Sequence, residues 1–185
     1  EPSMFQYAKM LYHGDGIPIN KTESARYFKM SADKGNDSAM VQYAVMRHEG
    51  IDIIKDIPEC VHYVKMAVEK GNRIAFILYG LLLKDGEGIS IDKPKAAKYF
   101  KMAADEGNES AMYFYAEMRN YGDGIGVDRK EAVRYYKMAA DLNEVKSIYE
   151  YGAMLYDGLG IKINRKEGIK YVKMSADKGY DIGMY

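Results

Sequence analysis

Five times along the chain a lysine precedes an acidic residue by four positions: Lys29 and Asp33, Lys65 and Glu69, Lys101 and Asp105, Lys137 and Asp141, Lys173 and Asp177. Lysine beside a carboxylate is the raw material of proton-transfer chemistry. The remaining reactive side chains are few: one cysteine, Cys60, and three histidines, His13, His48 and His62. Cys60 has no CxxC partner, no two histidines have metal-ligand spacing, and no Ser/His/Asp or Cys/His set gathers. Cys60 therefore reads as a small core residue. The loop Gly122-Asp123-Gly124 follows a helical pattern rather than a strand and lacks the lysine of a phosphate-cradling loop. A catalytic site has no reason to recur five times along one chain. The Lys/acid pairs are thus expected to be structural, each worth roughly a few tenths of a kcal/mol as a solvated helix pair, with contact to the neighbouring segment as the reason for their recurrence. No enzyme activity, cofactor or metal is expected.

Composition narrows the partners. The 185 residues carry 27 basic and 27 acidic side chains and are 48% apolar. A balanced charge without a basic run gives no field for nucleic acid or an anionic membrane, so no nucleic-acid partner is expected. The longest apolar run, residues 75–83, is too short to span a bilayer as a helix. A single cysteine allows no internal disulfide. No signal peptide is visible; the chain reads as a piece of a longer protein and is expected to be cytoplasmic.

The pairs are carried by a period. Tyr27, Tyr63, Tyr99, Tyr135 and Tyr171 are spaced by 36 residues, as are Met30, Met66, Met102, Met138 and Met174. No insertion breaks the register. Each unit holds two helical patterns. The first, such as residues 109–121, lacks glycine and proline and stops at a glycine pair: Gly14 and Gly16, Gly86 and Gly88, Gly122 and Gly124, Gly158 and Gly160. Glycine past a helix end supplies the left-handed backbone the last carbonyls need. The second unit has Gly50 but Asp52 in the other place, and a similar, more strained loop is expected there.

The second helix opens on Asn20, Asp56, Asp92, Asp128 or Asn164, side chains that cap free amides. Glu23, Glu59, Glu131 and Glu167 stand three residues on, as in a capping box. The helix runs to Gly35, Gly71, Gly107, Asn143 or Gly179. Along it Ala96, Tyr99, Phe100 and Ala103 make one apolar stripe, large against small. Small residues recur on the first helix as Ala39, Ala75 and Ala111, and as Ala44, Gly80, Ala116 and Gly152. A helix pair with one such stripe cannot bury it alone; neighbouring pairs must stack. The expected fold is all-α, a right-handed α/α superhelical solenoid of about five helix-turn-helix repeats. It is a single array over 1–185 with units at 1–35, 36–71, 72–107, 108–143 and 144–179, and residues 180–185 starting a further unit.

Loop and spacing resemble the Sel-one-like repeats, relatives of the tetratricopeptide repeat. In the fourth unit the matching residues are Ala111, Tyr115-Ala116, Gly122-Asp123-Gly124-Ile125, Asp128, Ala132, Tyr135, Ala139-Ala140 and Asn143. Tyrosine replaces the tryptophan and the leucine common in that family. The resemblance implies partner binding by an adaptor or scaffold. One bacterial branch with paired cysteines has been linked to β-lactams, and this chain, with Cys60 alone, lacks that signature.

By the same resemblance the first helices line the concave face. The outward positions are then Ser38, Val41, Gln42, Val45, His48 and Glu49 and their equivalents 36 residues apart. In the third unit these include Ile74, Ile77, Leu78 and Leu81; in the fourth Tyr113, Phe114 and Tyr121; in the fifth Tyr149. An exposed apolar and aromatic patch of this kind marks a partner site, whereas tight curvature would bury it between repeats. The expected function is a non-catalytic protein-protein interaction scaffold holding a peptide or helix on this face. The alternatives are self-association through open repeat ends, or a regulatory repeat arm of a larger enzyme such as a kinase.

Overall fold

The computed structural model describes residues 3–181. Among them the chain forms ten helices and no strand: α1 (Met4–His13), α2 (Lys21–Asp33), α3 (Asp37–Glu49), α4 (Ile57–Glu69), α5 (Arg73–Asp85), α6 (Lys93–Asp105), α7 (Glu109–Tyr121), α8 (Arg129–Asp141), α9 (Val145–Asp157) and α10 (Arg165–Asp177). This is an all-α repeat solenoid. Two compact units divide it, Glu1–Ile91 with α1–α5 and Asp92–Tyr185 with α6–α10. Within each, every helix packs on the one before it. Most of the stretch expected to begin a sixth repeat lies outside the described residues.

Each helix starts where the sequence supplies an acceptor. The side chains of Asn20, Asp56, Asp92, Asp128 and Asn164 accept from the amide three residues on, at 2.9–3.2 Å. The reciprocal half of a capping box is absent from α4 and α8. The backbone N–H of Asp56 donates instead to Arg47 O, and that of Asp128 to Arg119 O, both at 2.9 Å. This ties the start of the second helix to the end of the first. It frees Glu59 and Glu131 for Arg47 and Arg119.

The first helices end on left-handed glycines, Gly14, Gly50, Gly86, Gly122 and Gly158, whose N–H caps the last turn. The second loop glycine has a different duty. A Cβ on Gly124 would run into Lys93 at the start of α6, and one on Gly88 into Ile57 at the start of α4. The glycine lets one repeat's loop sit on the preceding repeat's second helix. Asp52 takes the same left-handed conformation at φ 52°. The neighbouring helix accommodates it: Thr22 Oγ1 donates to Asp52 O at 3.1 Å, and Lys21 Nζ lies 4.0 Å from its carboxylate.

The core follows the period. Phe28, Val64, Phe100 and Tyr136 share a register and are all buried, as are Ala67, Ala103 and Ala139. Tyr99, expected to plug the core beside Phe100, is only half-buried. Small residues permit the close helix approach: a Cβ on Gly152 would lie 2.9 Å from Gly168 O, so α9 and α10 nearly touch backbone to backbone.

Candidate functional site

Two of the recurring lysine and acid pairs are tied to a tyrosine one repeat away. Lys101 Nζ donates to Asp105 Oδ2 at 2.5 Å, and the Tyr135 hydroxyl of the next repeat donates to Asp105 Oδ1 at 2.6 Å. In the first unit Tyr63 donates likewise to Asp33 at 2.6 Å, while Lys29 reaches Tyr63 Oη at 2.9 Å and Glu59 at 2.7 Å. Lys101 holds the Asp105 carboxyl below the usual aspartate range, with Tyr135 adding to it. The Lys29 ammonium rises above its ordinary value: burial would lower it, but the hydrogen bonds it donates to Glu59 and Tyr63 outweigh that. A lysine held protonated beside a satisfied carboxylate is a poor base.

A second polar knot closes α3 on α4 and α7 on α8. Arg47 Nε donates to Tyr43 Oη at 2.9 Å and pairs with Glu59 at 2.5 Å; Arg119 Nε donates to Tyr115 Oη at 3.0 Å and pairs with Glu131 at 2.7 Å. The tyrosine rings meet edge to face, Tyr43 on Tyr63 at 5.0 Å and Tyr115 on Tyr135 at 4.8 Å. Cys60 is buried, and burial, with Glu87 nearby, pushes its thiol up to about 11. It is therefore no nucleophile near neutral pH. Among the described residues no three His, Cys, Asp or Glu side chains could hold a metal ion, and no helix is long and apolar enough to cross a membrane.

The first unit contains a cavity of about 290 Å³ between α3 and α5, floored by α4. Val45, Leu78, Leu81, Leu82 and Cys60 make its apolar lining, and His48, Glu49, Asp85 and Glu87 its rim. His48 Nε2 lies 2.8 Å from Glu87 Oε2, and Lys55 donates to the other oxygen at 3.1 Å. His48 and then Lys55 lower the Glu87 carboxyl. Glu49 and Asp85 are exposed and have no ion pair among the described residues. A smaller cavity of about 200 Å³ in the same unit has Ile74 at its edge, with Phe5, Tyr12 and Val41.

The sequence candidates divide accordingly. Leu78 and Leu81 share the larger cavity, and Ile74, 53% exposed, belongs to the smaller one. Ile77 is half-buried beside them and lines neither. Val41, placed on the outward face, lines the smaller cavity there but is only 2% exposed. In the second unit Phe114 is half-buried, its ring stacked on Phe100 at 5.1 Å. The Tyr113 hydroxyl donates to Glu117 at 3.0 Å. Tyr149 packs 5.4 Å from the Tyr180 ring, and Tyr121 is 66% exposed.

The family model "Sel1 repeat" matches residues 2–36, 37–72, 77–108, 109–144 and 145–180. The chain belongs to the Sel1 repeat family. No curated protein matches it in sequence. Among solved structures, a protective antigen of uropathogenic Escherichia coli with an SLR fold superposes at a TM-score of 0.90 with 22% identity, covering 96% of this chain and 38% of the antigen. A Sel1 repeat protein from Oxalobacter formigenes gives 0.85 at 27% identity, covering 95% and 72%. Cysteine rich protein B of Helicobacter pylori gives 0.53 at 23% identity, covering 69% and 91%. This Sel1-repeat chain thus spans well under half of the antigen's length.

Sel1 repeats in general serve as protein-interaction scaffolds rather than catalysts. In this Sel1 array the shared Tyr27, Tyr63, Tyr135 and Tyr171 each meet a tyrosine ring of the preceding helix, while other positions differ from unit to unit. Two such residues carried no motif in the sequence. The Tyr136 hydroxyl is buried with no hydrogen-bond partner among the described residues, where the other units have phenylalanine or valine. Glu150 is half-buried and has no ion pair among the described residues.

Proposed function

We propose that this Sel1-repeat protein is a non-catalytic adaptor that holds a segment of another protein in the groove between α3 and α5. An apolar side chain of the partner sits on Val45, Leu78, Leu81 and Leu82, and a neighbouring lysine or arginine faces Glu49 and Asp85. The supporting observation is the pairing of an apolar cavity of about 290 Å³ with two unpaired carboxylates at its rim. Burying one leucine-sized anchor there contributes about 2 kcal/mol, and an acidic rim favours basic over acidic flanks. Phe114 has a smaller share than its exposure pattern in sequence implies, since its ring is engaged with Phe100.

Panning a random peptide display library on the purified protein tests this reading. Selected peptides are expected to place Leu, Ile or Phe beside Lys or Arg and to lose binding to Leu78→Glu, a variant checked for retained helicity by circular dichroism. Peptides that bind Leu78→Glu as well as the parent reject the location.

A further inference from the structure

The 72-residue register shift that carries α3–α5 onto α7–α9 turns the groove's chemistry over. Val45 becomes Glu117, Leu78 becomes Glu150, and Glu49 becomes Tyr121. Two apolar floor positions are thus two glutamates, close enough for Glu117 to push the Glu150 carboxyl upward in addition to burial, which is the larger cause. Beneath them lies Tyr136 of α8, 0% exposed, its hydroxyl without a partner among the described residues. Burial, and next Glu150, Tyr113 and Glu117, hold that phenol far above its ordinary value, so it is a neutral O–H with a free lone pair turned to an acidic surrounding. The Tyr113 ring stands 6.0 Å from that of Tyr136, and Tyr113 donates to Glu117 at 3.0 Å. The protein's own Lys146, one turn ahead of Glu150, already brings its ammonium to 5.7 Å from the Tyr113 ring centroid.

We propose that this face of α7, α8 and α9 receives the cationic head of a lysine or arginine side chain from a partner polypeptide, with Glu150 as its counter-ion, Tyr136 Oη as an acceptor and the Tyr113 and Tyr121 rings as walls. A half-buried carboxylate without a partner costs stability, and so does a buried hydroxyl without one. A buried cation with several donors satisfies both groups, and tyrosine faces add cation–π attraction. An apolar side chain would leave them unsatisfied. The site shares no residue with the α3–α5 groove, so Leu78→Glu leaves its own side chains in place.

The probe is N-acetyl-lysine methylamide, titrated into the ¹⁵N-labelled full chain, with the uncharged N-acetyl-norleucine methylamide as control. The lysine compound is expected to move amide signals around Glu117 and Glu150, and the norleucine compound to leave them in place. Glu150→Gln is expected to weaken binding about tenfold or more, the loss of one charge-assisted contact, and Tyr136→Phe to weaken it severalfold while raising the melting temperature. Equal shifts with both compounds, shifts spread over exposed carboxylates of the whole chain, no shifts at these residues, or full affinity in either variant each overturn the assignment.

Discussion

Tyr135 donates its phenolic hydrogen to the carboxylate of Asp105, 30 residues earlier, at 2.6 Å. The same carboxylate accepts from Lys101 on its own helix. A residue near the C-terminus of α6 is thereby fastened to the middle of α8, and Tyr63 repeats the bond to Asp33. Acid near a helix C-terminus is unfavourable to the helix alone. For Asp33 and Asp105 the acid is explained by the next repeat, whose tyrosine takes it as acceptor.

Tyr135→Phe is expected to lower stability by about 1 kcal/mol, since the ring packing on Tyr115 survives and one partly exposed hydrogen bond is lost. The Asp105 contribution has a pH signature. Its native carboxyl is lowered, so its stabilisation is present above the unfolded value and fades as pH falls through the native one. Urea denaturation at pH 7 and below about pH 4 checks this. The gap between parent and Asp105→Asn is expected to narrow in acid, and a gap independent of pH contradicts the bond.

Gly16 and Gly124 have the same left-handed backbone, φ 75° and 76°, but only Gly124 lies against a preceding repeat. Gly16→Ala is expected to cost about 1 kcal/mol of conformational strain. Gly124→Ala adds the clash of its Cβ with Lys93 and is expected to cost about 1–3 kcal/mol more. Thermal melting of the two variants separates the terms. Equal losses mean that the loop does not need close contact with α6.

The period made the helices, loops and core readable, because each is fixed by local rules repeated in one register. Ala103 and Phe100 are where the stripe puts them, and Asp52 adopts the glycine conformation of its equivalents. Contacts that cross between repeats were not readable. The capping-box reading of Glu59 failed because Arg47, twelve residues earlier, competes for the same carboxylate while the Asp56 N–H turns back to α3. Val41 shows the limit of reading exposure from a helix face: it lines the smaller cavity with Phe5, Tyr12 and Ile74 of other first helices and is still only 2% exposed. The lone Tyr136 hydroxyl is likewise invisible in sequence, where tyrosine and phenylalanine fit the stripe equally well.

Ala103→Leu is expected to destabilise the chain by about 1–3 kcal/mol through overpacking, as Ala103 is 0% exposed and the register allows only small residues there. Its exposed neighbour Met102 provides the control, Met102→Leu being expected to fall within about 0.5 kcal/mol of the parent. Differential scanning calorimetry reads both, and an unchanged midpoint for Ala103→Leu removes it from the core.

Glu150→Gln is expected to raise stability at neutral pH. Burial first, and then Glu117, raise the native Glu150 carboxyl above its unfolded value. The folded chain therefore holds its proton to higher pH than the unfolded chain, and stability declines as pH rises from the unfolded value through the native one. Glu117 is the charged neighbour that raises this acid, and Glu150 in turn raises Tyr113 and Tyr121 on α7 and Tyr136 on α8; none of these is a cation. Glutamine carries no charge to desolvate, so the variant's melting temperature is expected above the parent's at pH 7 and level with it below about pH 4, where both glutamate forms are protonated. A lower melting temperature for the variant at pH 7 means that the carboxylate has a stabilising partner within the fold and is not held in reserve for a ligand.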